Sequence, residues 1–123
     1  MHGILNDQSL IYLQIAQMLE DDILRGVYRE EEQVPSTNEL ARGYNINPAT
    51  AGKGINLLVA EGILYKKRGI GMFVSAGAAE RIRARRKQEF YEIRLAELLA
   101  EAKSLGITRQ ELIDQIGKGG NHE

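Results

Sequence analysis

Apolar residues recur at every fourth position near the start of the sequence. The residues that follow this spacing are Ile11, Ile15, Leu19 and Ile23. Such a stripe predicts a helix over about residues 10–25. Gly26 follows directly, and glycine commonly ends a helix in a left-handed conformation. The polar stretch from there to Pro35 is predicted to be a connector.

Two shorter helices are predicted after this connector. Ser36 and Glu39 have the spacing of a capping box, in which each side chain bonds a backbone amide at the start of a helix. Asn47 and Pro48 suit the start of the next helix, because asparagine is a good cap and proline lacks an amide hydrogen. Its inward stripe is predicted to be Ala51, Ile55, Leu58 and Val59. Only residues 43–46 separate the two helices, which is typical of a helix-turn-helix.

A β-hairpin is predicted next. Two β-prone runs, 63–67 and 72–75, flank the glycine-rich tip Arg68-Gly69-Ile70-Gly71. This tip does not complete a phosphate-binding glycine motif, and no helix begins at it. A hairpin that directly follows a helix-turn-helix predicts a winged helix.

The remaining chain is predicted to be helical. A long helix is expected over 78–104, and its apolar residues repeat at heptad spacing: Tyr91, Leu95, Leu98, Ala102 and Leu105. Thr108 and Glu111 form a second capping box, and the final helix is expected to place Leu112, Ile113 and Ile116 on its inner face. The predicted fold is therefore mostly α with a small β-hairpin. A winged helix-turn-helix DNA-binding domain over 1–75 is followed by a two-helix dimerisation segment with a polar tail over 76–123.

Composition excludes several kinds of chemistry. The chain has no cysteine, which excludes disulfides, thiolate nucleophiles and thiolate metal sites. Its two histidines, His2 and His122, lie near the termini and lack a partner at metal-ligand spacing, so we expect solvated tail residues. No catalytic motif is present. We therefore expect no catalytic residues, no metal and no cofactor. No apolar run approaches a membrane span, and the predicted location is the cytoplasm without membrane contact.

Charge is unevenly distributed along the chain. Residues 1–75 carry seven basic and nine acidic side chains, whereas residues 76–123 carry nine and eight. The net charge of −1 does not indicate a nucleic-acid partner. The bases cluster at 66–68 and 81–87, and such local patches decide where a polyanion can bind.

The start of the second short helix is the strongest candidate for contact with DNA. In a helix-turn-helix this turn enters the major groove. Asn47, Thr50 and Lys53 are predicted to face outward, because Ala51 and Ile55 occupy the inward side. Asn47 also has a purely structural interpretation as a helix cap. The hairpin tip, with Lys67, Arg68 and Gly69, suits contact with the DNA backbone or the minor groove.

Two features allow competing interpretations. Gly52 and Gly54 each cost about 1 kcal/mol inside a helix. They would permit close approach to a phosphate or to a neighbouring helix, or they are simply tolerated. The basic run 81–87 either contacts the DNA backbone or forms a solvated helix face paired with nearby glutamates, and the second interpretation is slightly favoured.

The order of motifs resembles that of the GntR family of bacterial transcription regulators. The matching stretches are Ile11-Tyr12-x-Gln14-Ile15, Val34-Pro35-Ser36-x-Asn38-Glu39-Leu40-Ala41, Ile46-Asn47-Pro48-x-Thr50, Gly62-x-Leu64-Tyr65 and Lys67-Arg68-Gly69-x-Gly71-x-Phe73-Val74. The short helical C-terminal part resembles the YtrA-like subfamily in particular. The resemblance covers about residues 9–117.

This resemblance implies a homodimer that binds an inverted-repeat operator in double-stranded DNA, usually as a repressor, and often of a transporter operon. When the DNA contacts of the family are carried over by position, the resemblance implies contacts from Ser36, Asn38, Asn47, Thr50, Lys53, Arg68 and Gly69. Ala49 and Gly52 depart from the family pattern, which often has larger polar side chains there. A small-molecule effector stays an open question. The alternative is a winged-helix module that binds protein, which the −2 charge of residues 1–75 slightly favours.

Overall fold

The computed structural model describes residues 8–119, so His2 and His122 lie outside the described part. Its elements in chain order are α1 (Gln8–Leu24), α2 (Thr37–Tyr44), α3 (Pro48–Ala60), β1 (Leu64–Lys67), β2 (Gly71–Val74), α4 (Ala78–Glu89), a π-helical turn (Phe90–Leu95), α5 (Ala96–Ser104) and α6 (Arg109–Gly119). The predicted fold, mostly helical with one hairpin, is confirmed. No helix within residues 8–119 is both long and apolar enough to cross a membrane. The chain divides into two compact units, one up to Ala84 and one from Arg85 onward.

The core of the first unit forms where α1 packs against α3. The predicted stripe of α1 is inside, with Ile15, Leu19 and Ile23 all buried. Opposite them lie Ile55 and Leu58 of α3, which are almost fully buried. Burying side chains of this size stabilises a fold by about 1.5–3 kcal/mol each, so this contact is the main source of cohesion. Other core members come from every element of the unit: Val34, Leu40, Ile63, Leu64, Val74, Ala78 and Ile82.

The close contact between α1 and α3 depends on Gly54. A Cβ atom at this position would lie 2.9 Å from the backbone oxygen of Tyr12 and 3.2 Å from Cγ2 of Ile15. Gly54 therefore permits close approach to a neighbouring helix, one of the alternatives that the sequence left open. Gly52 differs, because a Cβ there would meet only the Thr37 side chain, with Cγ2 at 3.6 Å and Oγ1 at 4.0 Å, which are ordinary contacts.

The short helices begin at the predicted caps. The hydroxyl of Ser36 accepts the Glu39 amide at 3.1 Å, and the Glu39 carboxylate accepts the Ser36 amide at 2.8 Å. Asn47 caps α3 by accepting the Ala49 amide at 2.8 Å, and Pro48 occupies the first helical position. Between the helices, Asn45 adopts a left-handed conformation (φ 54°) that ends α2. These local bonds satisfy amides that the helix leaves free.

The hairpin is antiparallel and its register is set by four pairs, from Leu64 with Val74 to Lys67 with Gly71. Arg68, Gly69 and Ile70 form the tip. Gly69 has a φ of +77°, and the Ile70 amide donates to the Lys67 carbonyl at 2.9 Å, which closes the turn. We call this hairpin with its tip, residues 64–74, the wing.

The long helix differs from its prediction. The expected long helix is interrupted by the π-helical turn, which contains Tyr91 and Leu95. Each π-helical turn contains more residues than an α-helical turn, so the heptad stripe does not continue unchanged through it. Ala102 is buried within the chain, next to Ile107 and Leu112 of the following turn and helix.

The final helix also differs from its prediction. Thr108 and Glu111 form the predicted capping box, with the Thr108 amide donating to the Glu111 carboxylate at 2.8 Å. Leu112 is half-buried, as an inner face requires. Ile113 and Ile116, in contrast, are exposed by 52% and 70%, so the prediction that they face inward is wrong for the single chain. Leu112 lines a groove with Ala102 and Ile107, and Ile113 and Ile116 are not among the residues that line it.

Candidate nucleic-acid interface

The start of α2 presents polar groups outside a rigid capping box. Ser36 and Asn38 are both exposed. The backbone and side chain of Ser36 bond the Glu39 carboxylate and amide, and these hydrogen bonds lower the pKa of Glu39 below its usual value. The box thus holds Ser36 in one conformation, while Asn38 keeps an exposed amide that can donate and accept hydrogen bonds.

The start of α3 presents Asn47 to solvent, and here both interpretations of that residue are compatible. Its Oδ1 atom accepts the Ala49 amide, so Asn47 is a helix cap. The side-chain NH₂ group still has two donors, because capping uses only the oxygen. The same side chain can therefore cap α3 and bind an acceptor on DNA.

Thr50 does not face outward as predicted. It is only 5% exposed and lies beside Ala51, which is fully buried. The physical reason is that α3 packs between two other helices, α1 and α2, so its buried face is wider than the stripe read from large apolar residues. That face includes Thr50 and Gly54, four residues apart, in addition to the predicted Ala51, Ile55 and Leu58.

Lys53 is exposed on α3, and a neighbouring ring limits where its side chain lies. Its Nζ atom is 4.5 Å from the centre of the Tyr12 ring, which belongs to α1. A cation over an aromatic face is attracted by about 0.5–1 kcal/mol at an exposed site. Tyr12 therefore restrains the ammonium group without neutralising it. Sequence reasoning named Tyr12 only as part of a family motif, since nothing local indicates this contact.

One basic side chain of the wing packs against a pair of aromatic rings. The Nζ atom of Lys67 lies 4.2 Å from the centre of the Phe73 ring. Phe73 in turn pairs across the strands with Tyr65, with ring centres 6.1 Å apart. Arg68 and Gly69 at the tip are exposed, and a Cβ at Gly69 would meet open space. The tip can therefore approach a large ligand closely.

Two arginines of the basic run 81–87 make contacts within the protein. Arg81 donates from Nη1 to the Gly62 carbonyl at 2.6 Å, which satisfies a free acceptor just after α3. Within the second unit, Arg85 pairs with Glu89 at 3.7 Å. These contacts favour the interpretation of this run as a paired helix face.

No group of three or more histidine, aspartate and glutamate side chains within residues 8–119 is arranged to hold a metal ion. The side chains exposed at the starts of α2 and α3 and at the wing tip are of kinds that can bond base edges and phosphates.

Residues 11–74 match the family described as "Bacterial regulatory proteins, gntR family". The chain belongs to this family. The matched residues extend from α1 to the end of the wing, so they include all the elements just described. Family membership supports DNA-binding transcription regulation, and gntR-family regulators are not enzymes.

Two curated relatives match different lengths of this chain. It is 42% identical over 72 residues to the probable fructoselysine utilization operon transcriptional repressor of Escherichia coli (strain K12), covering 58% of this chain. The chain spans only 30% of that relative's length. It is 30% identical over 106 residues to the HTH-type transcriptional repressor YtrA of Bacillus subtilis (strain 168), covering 86% of this chain and 81% of YtrA. The resemblance to YtrA therefore includes the second unit.

Solved structures support the same assignment. A gntR-family regulator from Bacteroides thetaiotaomicron is 35% identical, with a TM-score of 0.76 over 91% of this chain and 97% of that one. The DNA-binding domain of AraR in complex with operator ORX1 is 31% identical, with a TM-score of 0.50 over 52% of this chain and 77% of that one. The second structure shows a related domain bound to DNA.

Proposed function

We propose that this protein is a homodimeric repressor that binds an inverted-repeat operator through its first unit. The observation that carries the proposal is the exposed polar set at three element ends of a gntR-family winged helix. These are Ser36 and Asn38, then Asn47 and Lys53, then Arg68 with Gly69. The operator complex of the related AraR domain supports a DNA-binding role for this unit.

The proposed contacts fall into two groups, according to the part of the DNA that they bind. Asn47 and Lys53 at the start of α3 are assigned to the major groove, where amide and ammonium groups read base edges. Lys67, Arg68 and the bare backbone of Gly69 are assigned to phosphates or the minor groove. Thr50 is buried, so we assign it a role in holding α3 rather than in direct readout.

The second unit is proposed to form the dimer. Tyr91, Leu98 and Leu105 are 59%, 49% and 67% exposed in the single chain, and Leu95 is half-buried. Apolar surface of this extent on a small helical unit favours association with a second copy. Ala102 is the buried residue of this set. We propose that residues 1–75 form the DNA-binding domain and residues 76–123 the dimerisation segment.

The biological setting is also part of the proposal. The relatives are named as repressors, which favours repression over activation. We place the protein in the cytoplasm, where its DNA target lies, and propose a transporter operon as the regulated unit. Each dimer would read two half-sites about one helical turn, or roughly 10 base pairs, apart.

The test uses Lys53 and a DNA fragment from upstream of the protein's own operon. Lys53→Ala should weaken binding to the operator by about 1–3 kcal/mol if the side chain reads a base. Contact with phosphate would instead weaken binding to all sequences similarly and reduce the salt dependence. Fluorescence anisotropy at several salt concentrations measures both quantities.

Lys118→Ala, on α6 of the second unit, is the matched control for loss of one positive charge. It should leave operator affinity unchanged. If Lys53→Ala and the control behave alike, α3 is not the recognition helix. If the unmodified protein does not shift the fragment and instead captures a protein partner, the interaction-module alternative replaces this proposal.

A further inference from the structure

The connector between α1 and α2 is bonded to the wing, although no strand was predicted there. Its backbone follows β2: the Glu31 amide donates to Val74, the Val74 amide to Glu32, and the Val34 amide to Met72, at 2.8–3.0 Å. Gln33 forms an antiparallel bridge with Phe73. Residues 31–34 therefore act as an edge strand beside the wing.

The side chain of Gln33 extends along this edge to the tip of the wing. Its Nε2 atom donates to the Ile70 carbonyl at 3.0 Å. The space for the amide exists because Gly71 lacks a side chain: a Cβ there would lie 2.4 Å from the same nitrogen. The amide thus packs against bare backbone at the point where the tip joins β2.

This bond restrains the tip from outside the hairpin. Within the tip, the Ile70 amide donates to the Lys67 carbonyl, which closes the turn but does not orient it. The base of the wing is held separately by Tyr65, whose hydroxyl donates to the Glu31 carboxylate, a bond that raises the pKa of Tyr65. Gln33 is the connector side chain bonded to the tip itself.

We propose that Gln33 is a positioning residue for DNA binding, which orients the wing tip so that Arg68 and Gly69 meet the DNA. The inference rests on the proposed function, because it assumes that the tip contacts DNA. A tip held before binding loses less conformational freedom on contact, so affinity rises without any new contact to the ligand. Gln33 itself need not touch DNA.

The first experiment measures the tip in the free protein. Gln33→Ala should lower the NMR order parameters of the Gly69 and Ile70 amides, since rapid motion of the tip is no longer restrained. The order parameter of Val74, bonded to the connector backbone, should not change. If the order parameters of the Gly69 and Ile70 amides did not change, the proposal would be wrong, whatever the DNA-binding measurements show.

The second experiment is a double-mutant cycle with Arg68→Ala, read as operator affinity. Gln33→Ala alone should weaken binding about three- to tenfold, the range expected for loss of one hydrogen bond. In the Arg68→Ala background its effect should be clearly smaller, because only one of the two tip contacts that it positions, that of Gly69, remains. Gln110→Ala, which removes a surface glutamine bonded to Asp114 within α6, is the control and should not weaken binding.

The outcomes separate this inference from the proposed function. If Arg68→Ala weakens binding and Gln33→Ala does not, Gln33 has no positioning role. An equal effect of Gln33→Ala in both backgrounds also overturns it, because Gln33 would then act independently of the tip. If neither variant changes affinity while Lys53→Ala does, the proposed wing contact fails and the inference fails with it.

Discussion

At the scale of single residues, two glycines of α3 have opposite roles. Gly54 faces α1, and an added methyl group would lie 2.9 Å from the backbone oxygen of Tyr12. A backbone oxygen in a packed helix cannot rotate away, so the helices would have to separate. Gly52 has ordinary space toward Thr37. Alanine at each of the two positions therefore distinguishes the cost of overpacking from the gain in helix propensity.

Gly54→Ala should lower the free energy of unfolding. Overpacking costs about 1–3 kcal/mol, and alanine returns about 1 kcal/mol of helix propensity, so we expect a net loss of up to about 2 kcal/mol. Gly52→Ala is the matched control and should raise the free energy of unfolding by up to about 1 kcal/mol. Urea denaturation measures both. A stabilised Gly54→Ala variant would show that α1 and α3 are not in close contact.

At the scale of elements, α2 and α6 both begin with a capping box that includes a glutamate. Hydrogen bonds from Ser36 lower the pKa of Glu39, and those from Thr108 lower the pKa of Glu111. A group whose pKa is lowered by folding stabilises the fold fully above its unfolded value. That contribution is lost as the pH falls through the folded value. Both helix starts should therefore weaken in acid.

Glu39→Gln tests this pH dependence. Glutamine keeps an oxygen that can cap the helix but does not titrate. The unmodified protein should be more stable than this variant at neutral pH, and the difference should shrink as the pH falls below the ordinary pKa of 4.5 and through the lowered pKa of Glu39. Urea midpoints across this range measure it. Glu97→Gln, outside any capping box, is the control, and a similar pH-dependent difference there would contradict the assignment to the box.

At the scale of the whole molecule, the second unit exposes apolar side chains that its own helices do not cover. In a two-fold interface each substitution acts twice, so Leu95→Asp with Leu98→Asp should produce monomers. Operator binding should then collapse, because one half-site alone loses the gain from tethering. Sedimentation of the double variant determines its mass in solution.

Glu97→Gln with Glu101→Gln also changes two charges, both on α5, and is the matched control. It should remain dimeric and bind the operator. A folded, dimeric Leu95→Asp, Leu98→Asp variant would place the interface elsewhere, with α1 as the next surface to test.

The sequence alone was sufficient for features that depend on neighbouring residues. The stripe of α1, the caps at Ser36 and Asn47, the box at Thr108 and the hairpin tip at Gly69 were all predicted, because each requires only residues within a turn or two of one another. The exposed candidate Lys53 was found in the same way, since it lies beside a recognisable stripe, whereas Asn38 was a candidate only through the resemblance to the GntR family.

Only the tertiary structure decided features that depend on distant neighbours. Thr50 is buried because two helices cover α3, and the need for glycine at position 54 comes from α1. The bond from Gln33 to Ile70 joins residues 37 positions apart, so no local pattern could indicate it. Periodicity records which side chains are apolar, whereas packing of other elements determines how wide a face is buried and what touches it.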